Sequence, residues 1–154
     1  MIDERDRREI EGLGERFPTR RAAALEALQI VQKNHRWVSD EDLEATAALL
    51  GMTADELDGV ASFYPMVFRK PVGRHVVVVC DSICCWIMGY DRILESLVSS
   101  LGVGLGETDR EGRFTLIPTA CLGACDHAPA MMIDGDLHGD LTPEKVPGIL
   151  EGYK

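Results

Sequence analysis

The chain has 154 residues, with 16 basic and 26 acidic side chains, a formal net charge of -10 and 45% hydrophobic composition. That length buries one good core or two small ones, the apolar content excludes general disorder, and the negative balance excludes the basic patch of a nucleic-acid binder. No apolar run approaches the roughly 20 residues of a membrane helix, since the densest, residues 76–79, is strand-sized, and the charged start Met1-Ile2-Asp3-Glu4-Arg5 carries no secretory h-region.

In chain order, residues 3–15 form a candidate helix with few apolar positions. Thr19 is placed to cap a helix whose apolar face runs through Ala22, Leu25, Leu28, Ile30 and Val31. Ser39 and Asp42 resemble a capping box ahead of residues 43–50, and Gly51 stands where a left-handed glycine ends a helix. Thr53 and Glu56 repeat the box and open a short helix through Leu57 and Val60. This front half reads as a small helical bundle, either a docking surface or simply packed on its neighbour. Pro71-Val72-Gly73 marks the boundary between domains 1–72 and 73–154. The β-branched run His75-Val76-Val77-Val78-Val79 predicts a strand buried on both faces. A helix over about 88–101 follows, with Ile93, Leu94, Leu97, Val98 and Leu101 on one face and Gly102 stopping it. Residues 114–117 read as a second strand ended by Pro118. Residues 131–138 read as a hairpin, because Asp134-Gly135 supplies the positive φ angles of a type I′ turn. Thr142-Pro143-Glu144 opens a last helix toward Tyr153, with Pro147 and Gly148 weakening its interior. The order β-α-β, hairpin, helix is an α/β plan with a small mixed sheet.

Five cysteines without an export signal point to the cytosol, where clustered cysteines are more often metal ligands or redox groups than disulfides. All lie between Cys80 and Cys125: Cys80-Asp81-Ser82-Ile83-Cys84-Cys85, then Cys121-Leu122-Gly123-Ala124-Cys125. Four residues separate Cys80 from Cys85, thirty-five separate Cys85 from Cys121, and three separate Cys121 from Cys125. Each pair is expected on a loop just past a strand, so two strands paired in one sheet bring the loops together. Four thiolates hold zinc or an iron–sulfur cluster. Zinc ribbons favour two residues between cysteines, whereas spacings of three and four suit the larger two-iron rhomb. Gly123 and Ala124 let backbone N–H groups approach sulfur. A Rieske centre needs two histidine ligands, and only His127, in Cys125-Asp126-His127, lies within two residues of a cysteine.

Residues 20–154 resemble the thioredoxin-like [2Fe–2S] ferredoxin subunit of bacterial respiratory complex I. The motifs that carry the resemblance are Gly59-Val60-Ala61-Ser62-Phe63-Tyr64, Pro71-Val72-Gly73-Arg74-His75, the two cysteine segments, Gly112-Arg113-Phe114-Thr115-Leu116, Pro129-Ala130-Met131-Met132-Ile133 and Leu141-Thr142-Pro143. The resemblance implies a helical N-terminal part followed by a thioredoxin-like domain. It implies Cys80, Cys85, Cys121 and Cys125 as ligands of one [2Fe–2S] cluster, with Cys84 standing where the family has an ordinary apolar residue. It further implies an electron-transfer subunit of NADH-quinone oxidoreductase, not catalytic alone. The partners are then a flavin subunit that carries NADH and FMN and the large iron–sulfur subunit of the same peripheral arm. The chain would be cytoplasmic, held at the inner face of the cell membrane through the complex without inserting into it. Equivalent subunits occur in NAD-linked hydrogenases and formate dehydrogenases; a structural zinc scaffold is the reading from another class. Asp81 and Asp126 beside the ligands, in an acidic chain, oppose added electrons and predict a low reduction potential.

Other features have plainer readings. Gly102-Val103-Gly104-Leu105-Gly106 follows a helix rather than a strand and reads as a surface loop, not a dinucleotide fingerprint. A thiol–disulfide enzyme is disfavoured because no Cys-x-x-Cys pair exists. His127 is a candidate hydrogen-bond partner of the cluster. Trp86, Met88, Tyr90, Pro129 and Met131 are either ordinary packing or an apolar rim that limits water near it.

Overall fold

The computed structural model describes residues 2–153. Its contacts divide the chain into two compact units, Met1–Pro71 and Val72–Lys154.

The first unit is helical. Helix α1 (Glu4–Gly12) is set by a full capping box: Asp3 accepts from the amides of Arg5 and Asp6, and the Asp6 carboxylate accepts from the Asp3 amide at 3.1 Å. A single 3₁₀ turn, Leu13–Glu15, follows. Thr19 does cap, through a bond from the Ala22 amide, but the turn it caps is 3₁₀ (Arg20–Ala23), and α2 (Ala24–His35) starts after it. The buried stripe of α2 is Ala24, Ala27, Leu28 and Val31. Leu25 and Ile30 are half-buried and Ala22 is exposed, so the expected face is rotated. The spacing i, i+3, i+4, i+7 wins, because alanines at 24 and 27 admit close neighbours. In α3 (Asp40–Leu50) Ser39 accepts from the Asp42 amide at 3.1 Å. The Asp42 carboxylate turns to the Ser39 hydroxyl at 2.8 Å and to His35, which leaves half of the expected box. Gly51, at φ +67°, closes α3. The box of α4 (Ala54–Phe63) is complete between Thr53 and Glu56.

A polar knot sits inside this unit. Asp6 and Asp42 are both buried. His35 lies between them, with Nε2 2.7 Å from Asp6 and Nδ1 3.3 Å from Asp42, and Asn34 donates to Asp6 at 2.5 Å. This joins α1, α2 and α3. Burial pushes the Asp6 carboxyl upward, but hydrogen bonds from Asn34, the Asp3 amide and His35 outweigh it and hold the group below its ordinary 3.8.

The second unit holds a mixed four-stranded sheet, ordered β2-β1-β3-β4. Strand β1 (His75–Cys80) is central, parallel to β2 (Phe114–Thr119) and antiparallel to β3 (Met131–Ile133), which pairs with β4 (Asp136–His138). Val76, Val77, Val78 and Val79 are all buried. Val77 and Val79 share a core with Leu116, Met131 and Ile133, with Ile93 and Leu97 of α6 (Tyr90–Leu101), and with Val146 and Leu150 of α7 (Lys145–Glu151). The β3–β4 turn has the expected type I′ signature, with φ +51° at Asp134 and +101° at Gly135.

The helix expected over about 88–101 is α6, entered after Gly89 at φ +107°, and a short helix that the sequence did not announce, α5 (Ile83–Ile87), precedes it. Two expectations are corrected. Pro118 does not end β2: it pairs with Val79 inside an edge strand, where the absent N–H faces away from β1. The last helix starts at Lys145 and ends at Glu151, so Pro147 falls in the first turn, where its missing N–H has no helical partner to lose.

Replacing His35 by Leu leaves Asp6 and Asp42 without that donor. Urea unfolding at neutral pH should show a loss of about 1–3 kcal/mol. Because the folded Asp6 pKa is depressed, its share of the stability is present above 3.8 and fades as pH falls through the lower folded value. The gap between variant and wild type should therefore narrow in acid; a gap independent of pH contradicts this role for Asp6.

Candidate functional site

The parallel pairing of β1 with β2 decides where the cysteines go. Cys80 is the last residue of β1 and registers with Thr119, the last of β2; the Asp81 amide then donates to the Thr119 carbonyl at 3.0 Å. Both strands therefore deliver their following segments to the same end of the sheet. Helix α5 turns the first segment back and carries Cys84 and Cys85. The second segment carries Cys121 and reaches Cys125 at the start of a 3₁₀ turn, Cys125–His127. The expectation of cysteines on loops holds for Cys121 alone: Cys80 is in a strand, Cys84 and Cys85 are helical, and Cys125 opens the turn. Gly139 admits this turn, since a Cβ there would lie 2.5 Å from the His127 Cβ.

All five thiols are free. Cys80 and Cys85 are buried, Cys84 is half-buried, and Cys121 and Cys125 are exposed. They form one neighbourhood. Burial, then a hydrogen bond with Cys80 and the charges of Cys80 and Cys125, push the Cys85 thiol up to about 11, while a backbone bond at Ala130 offsets part of this. A hydrogen bond with Cys84 comes first in raising the Cys125 thiol, followed by the charges of Cys84 and Cys121. The Gly123 amide donates to the Cys121 sulfur at 3.3 Å, with Gly123 at φ +76° aiming it. Among the described residues, no three His, Cys, Asp or Glu side chains close on a single metal-ion position. The donor chemistry fits a two-iron cluster: soft sulfur donors arrive on two arms at one end of the sheet and have a backbone N–H on one sulfur. Loading must expel thiol protons, which the raised Cys85 and Cys125 values make costlier near neutral pH.

The flanking residues divide. Tyr90, Pro129 and Met131 are buried packing. Trp86 and Met88 are 57% and 58% exposed, and with them Ile83 at 61% and Ile87 at 70%, two residues that sequence reasoning did not single out. The signal was present: Ile-Cys-Cys-Trp-Ile-Met holds more apolar side chains than a short helix can bury. His127 bonds Asp140 at 2.8 Å and lies 3.5 Å from Asp126. Its hydrogen bond to Asp140, then the charges of Asp126 and Asp140, raise its pKa. The glycine-rich 102–106 stretch is a loop whose Gly106 amide donates to Leu116 of β2.

A mixed sheet whose parallel strands deliver two cysteine arms to one end defines a thioredoxin-like fold built around a thiolate-held group. The profile of the thioredoxin-like [2Fe–2S] ferredoxin family matches residues 10–154. The corresponding NADH-quinone oxidoreductase subunit of Pseudomonas aeruginosa is 47% identical over 153 residues, 99% of this chain and 92% of that protein. The same subunit of the Escherichia coli K12 NADH-quinone oxidoreductase is 53% identical over 134 residues, 87% of this chain and 81% of that protein. Among solved structures, an NAD+-reducing [NiFe]-hydrogenase shares the fold, with a TM-score of 0.72 at 22% identity over 85% of this chain and 22% of that one. The chain belongs to the thioredoxin-like [2Fe–2S] ferredoxin family, and its resident group is a [2Fe–2S] cluster. Among the described residues no helix is long and apolar enough to cross a membrane.

In the reduced, cluster-free protein, alkylation followed by peptide mapping should label Cys121 first and Cys80 and Cys85 last, following exposure. Early labelling of Cys85 contradicts this arrangement of the two arms.

Proposed function

We propose that this chain is the electron-transfer subunit of an NADH-quinone oxidoreductase, holding one [2Fe–2S] cluster on Cys80, Cys85, Cys121 and Cys125. The observation that carries the reading is the convergence of two cysteine arms at the shared end of β1 and β2. Near-full-length identity to the two NADH-quinone oxidoreductase subunits supports the parent complex. The hydrogenase likeness is one of fold, so an NAD-linked hydrogenase or formate dehydrogenase is the second reading.

The cluster supplies a one-electron couple when bound. The chain's own residues set its surroundings. Cys80 and Cys85 would hold it from the buried side and Cys121 and Cys125 from the exposed side. The Gly123 amide stabilises negative charge on sulfur. The carboxylates of Asp81 and Asp126 oppose that charge, and the Asp126 side chain, 80% exposed, is screened by water. The field reaches the neighbouring phenol: burial, then Asp81 and Asp91, raise the Tyr90 pKa. The partners are the flavin subunit, which binds NADH and FMN, and the large iron–sulfur subunit of the peripheral arm. The complex holds the chain at the cytoplasmic face of the membrane, and the chain alone does not oxidise NADH. Exposed Ile83, Trp86, Ile87 and Met88 border the buried arm and supply an apolar docking face that would exclude water between cluster and flavin.

Cys85→Ser should abolish the visible absorption and paramagnetic signal of the anaerobically purified protein, while Cys84→Ser retains both. The reverse outcome moves the ligand from Cys85 to Cys84. Trp86→Glu should leave the isolated protein's spectrum unchanged and weaken its binding to the flavin subunit by about tenfold or more; unaltered binding rejects this face as the interface.

A further inference from the structure

The two cysteine arms are not held alike. Cys80 and Cys85 are buried in a strand and a helix, whereas residues 120–127 lie beyond the end of β2, with Cys121 and Cys125 exposed. The His127 amide donates to the Ala124 carbonyl at 3.1 Å, which closes the turn that carries Cys125 on itself. Among the described residues, one backbone hydrogen bond ties 120–127 to another part of the chain: the Asp140 amide donates to the His127 carbonyl at 2.7 Å. The segment that supplies it is itself fixed. The Leu141 amide donates to the Pro129 carbonyl at 3.1 Å, and the Leu141 side chain is buried in the core of the sheet unit.

Two residues shape this tie. Gly139 passes so close to the turn that a Cβ would lie 2.5 Å from the His127 Cβ and 2.9 Å from its carbonyl oxygen. Those atoms belong to the backbone and the root of the side chain, so no rotamer change clears them. Asp140 stands at φ +48°, a conformation that Asp and Asn adopt far more readily than β-branched residues. Its carboxylate also accepts from His127 Nδ1 at 2.8 Å. Both of these side chains are exposed, so the side-chain bond adds little to the backbone one.

We propose that Gly139 and Asp140 are positioning residues for the cluster: the latch they form on His127 fixes the exposed arm and, with it, the place of the Cys125 sulfur. The proposal rests on the reading that Cys125 is a cluster ligand. Both residues act through His127, two positions beyond Cys125. The buried arm needs no such device, because strand pairing and burial already hold Cys80 and Cys85. An arm that slips in its latch presents the Cys125 sulfur at a different angle and opens that corner to water. The latch therefore governs the shape of the paramagnetic signal and the rate at which iron is lost.

The test uses the full chain, purified anaerobically with its cluster. It reads the g values after reduction by dithionite and the rate of iron extraction by a chelator. Gly139→Ala and Asp140→Val disturb the latch by different routes, the first by overpacking and the second by forcing a β-branched residue to positive φ. Each should shift the g values and speed iron extraction about fivefold or more. Asp140→Asn keeps the amide and an acceptor for His127, and as the conservative variant it should match wild type in both readouts. Leu150→Val, a truncation in the core of the same unit, should match it too. Wild-type behaviour of a folded Gly139→Ala protein, equal changes in Leu150→Val, or failure of both latch variants to fold would overturn the proposal. If wild type itself holds no iron and sulfide, the cluster reading fails, and the latch is decided on the metal-free chains. Hydrogen exchange over residues 121–127 should then be faster in Gly139→Ala than in wild type and Leu150→Val, and equal exchange rejects the latch.

Discussion

Everything at the candidate site depends on the register between β1 and β2. Because the two strands are parallel and end together at Cys80 and Thr119, both cysteine arms leave the sheet at one end. A slip of one residue would turn Cys80 to the opposite face. What holds the register lies at the other end of the strands. Gly73 runs so close to Arg113 and Phe114 that a Cβ would meet their backbone at 2.9 Å, and its amide donates to the Thr115 hydroxyl at 2.6 Å. The Asp134 carboxylate accepts from the Val76 amide at 2.9 Å and meets His75 at 2.5 Å, tying the hairpin turn to the start of β1. The segment 71–75 and the Asp134-Gly135 turn thus position cysteines they do not touch.

Much of the fold was legible because its determinants are local. The box at Thr53 and Glu56, the glycine stop at Gly51 and the Asp-Gly hairpin each rest on a few adjacent residues, and each stands where the sequence places it. The failures have a common cause, which is that tertiary context decides them. Helix α5 was invisible because Ile, Cys and Trp are indifferent helix formers and its five residues are too short for a period to show. Pro118 is tolerable only on an edge, and edge position follows from sheet order, not from the neighbouring residues. Asp6 gave no sign of burial, since its partners Asn34 and His35 come from another helix. The cysteines were legible through spacing and resemblance, but their placement on strand, helix and turn was not.

The chemistry divides between a buried and an open side. Cys85 sits among apolar core residues that raise the energy of its bare thiolate, and Cys80 is buried beside it. Cys121 and Cys125 sit in solvent on a glycine-bearing turn that can adjust. In the empty site burial favours the neutral Cys85 thiol, and a cluster bound there would take the place of its proton. On the proposed reading the acidic chain would oppose reduction, and the exposed apolar face of α5 would give a partner a dry surface beside the redox group.

The central claim is that the two cysteine arms jointly hold a two-iron, two-sulfide group. The most direct measurement is the iron, zinc and acid-labile sulfide content of the anaerobically purified chain. Two irons and two sulfides per chain, with zinc absent, is the predicted result. One zinc per chain without sulfide would contradict it and return these cysteines to a purely structural role.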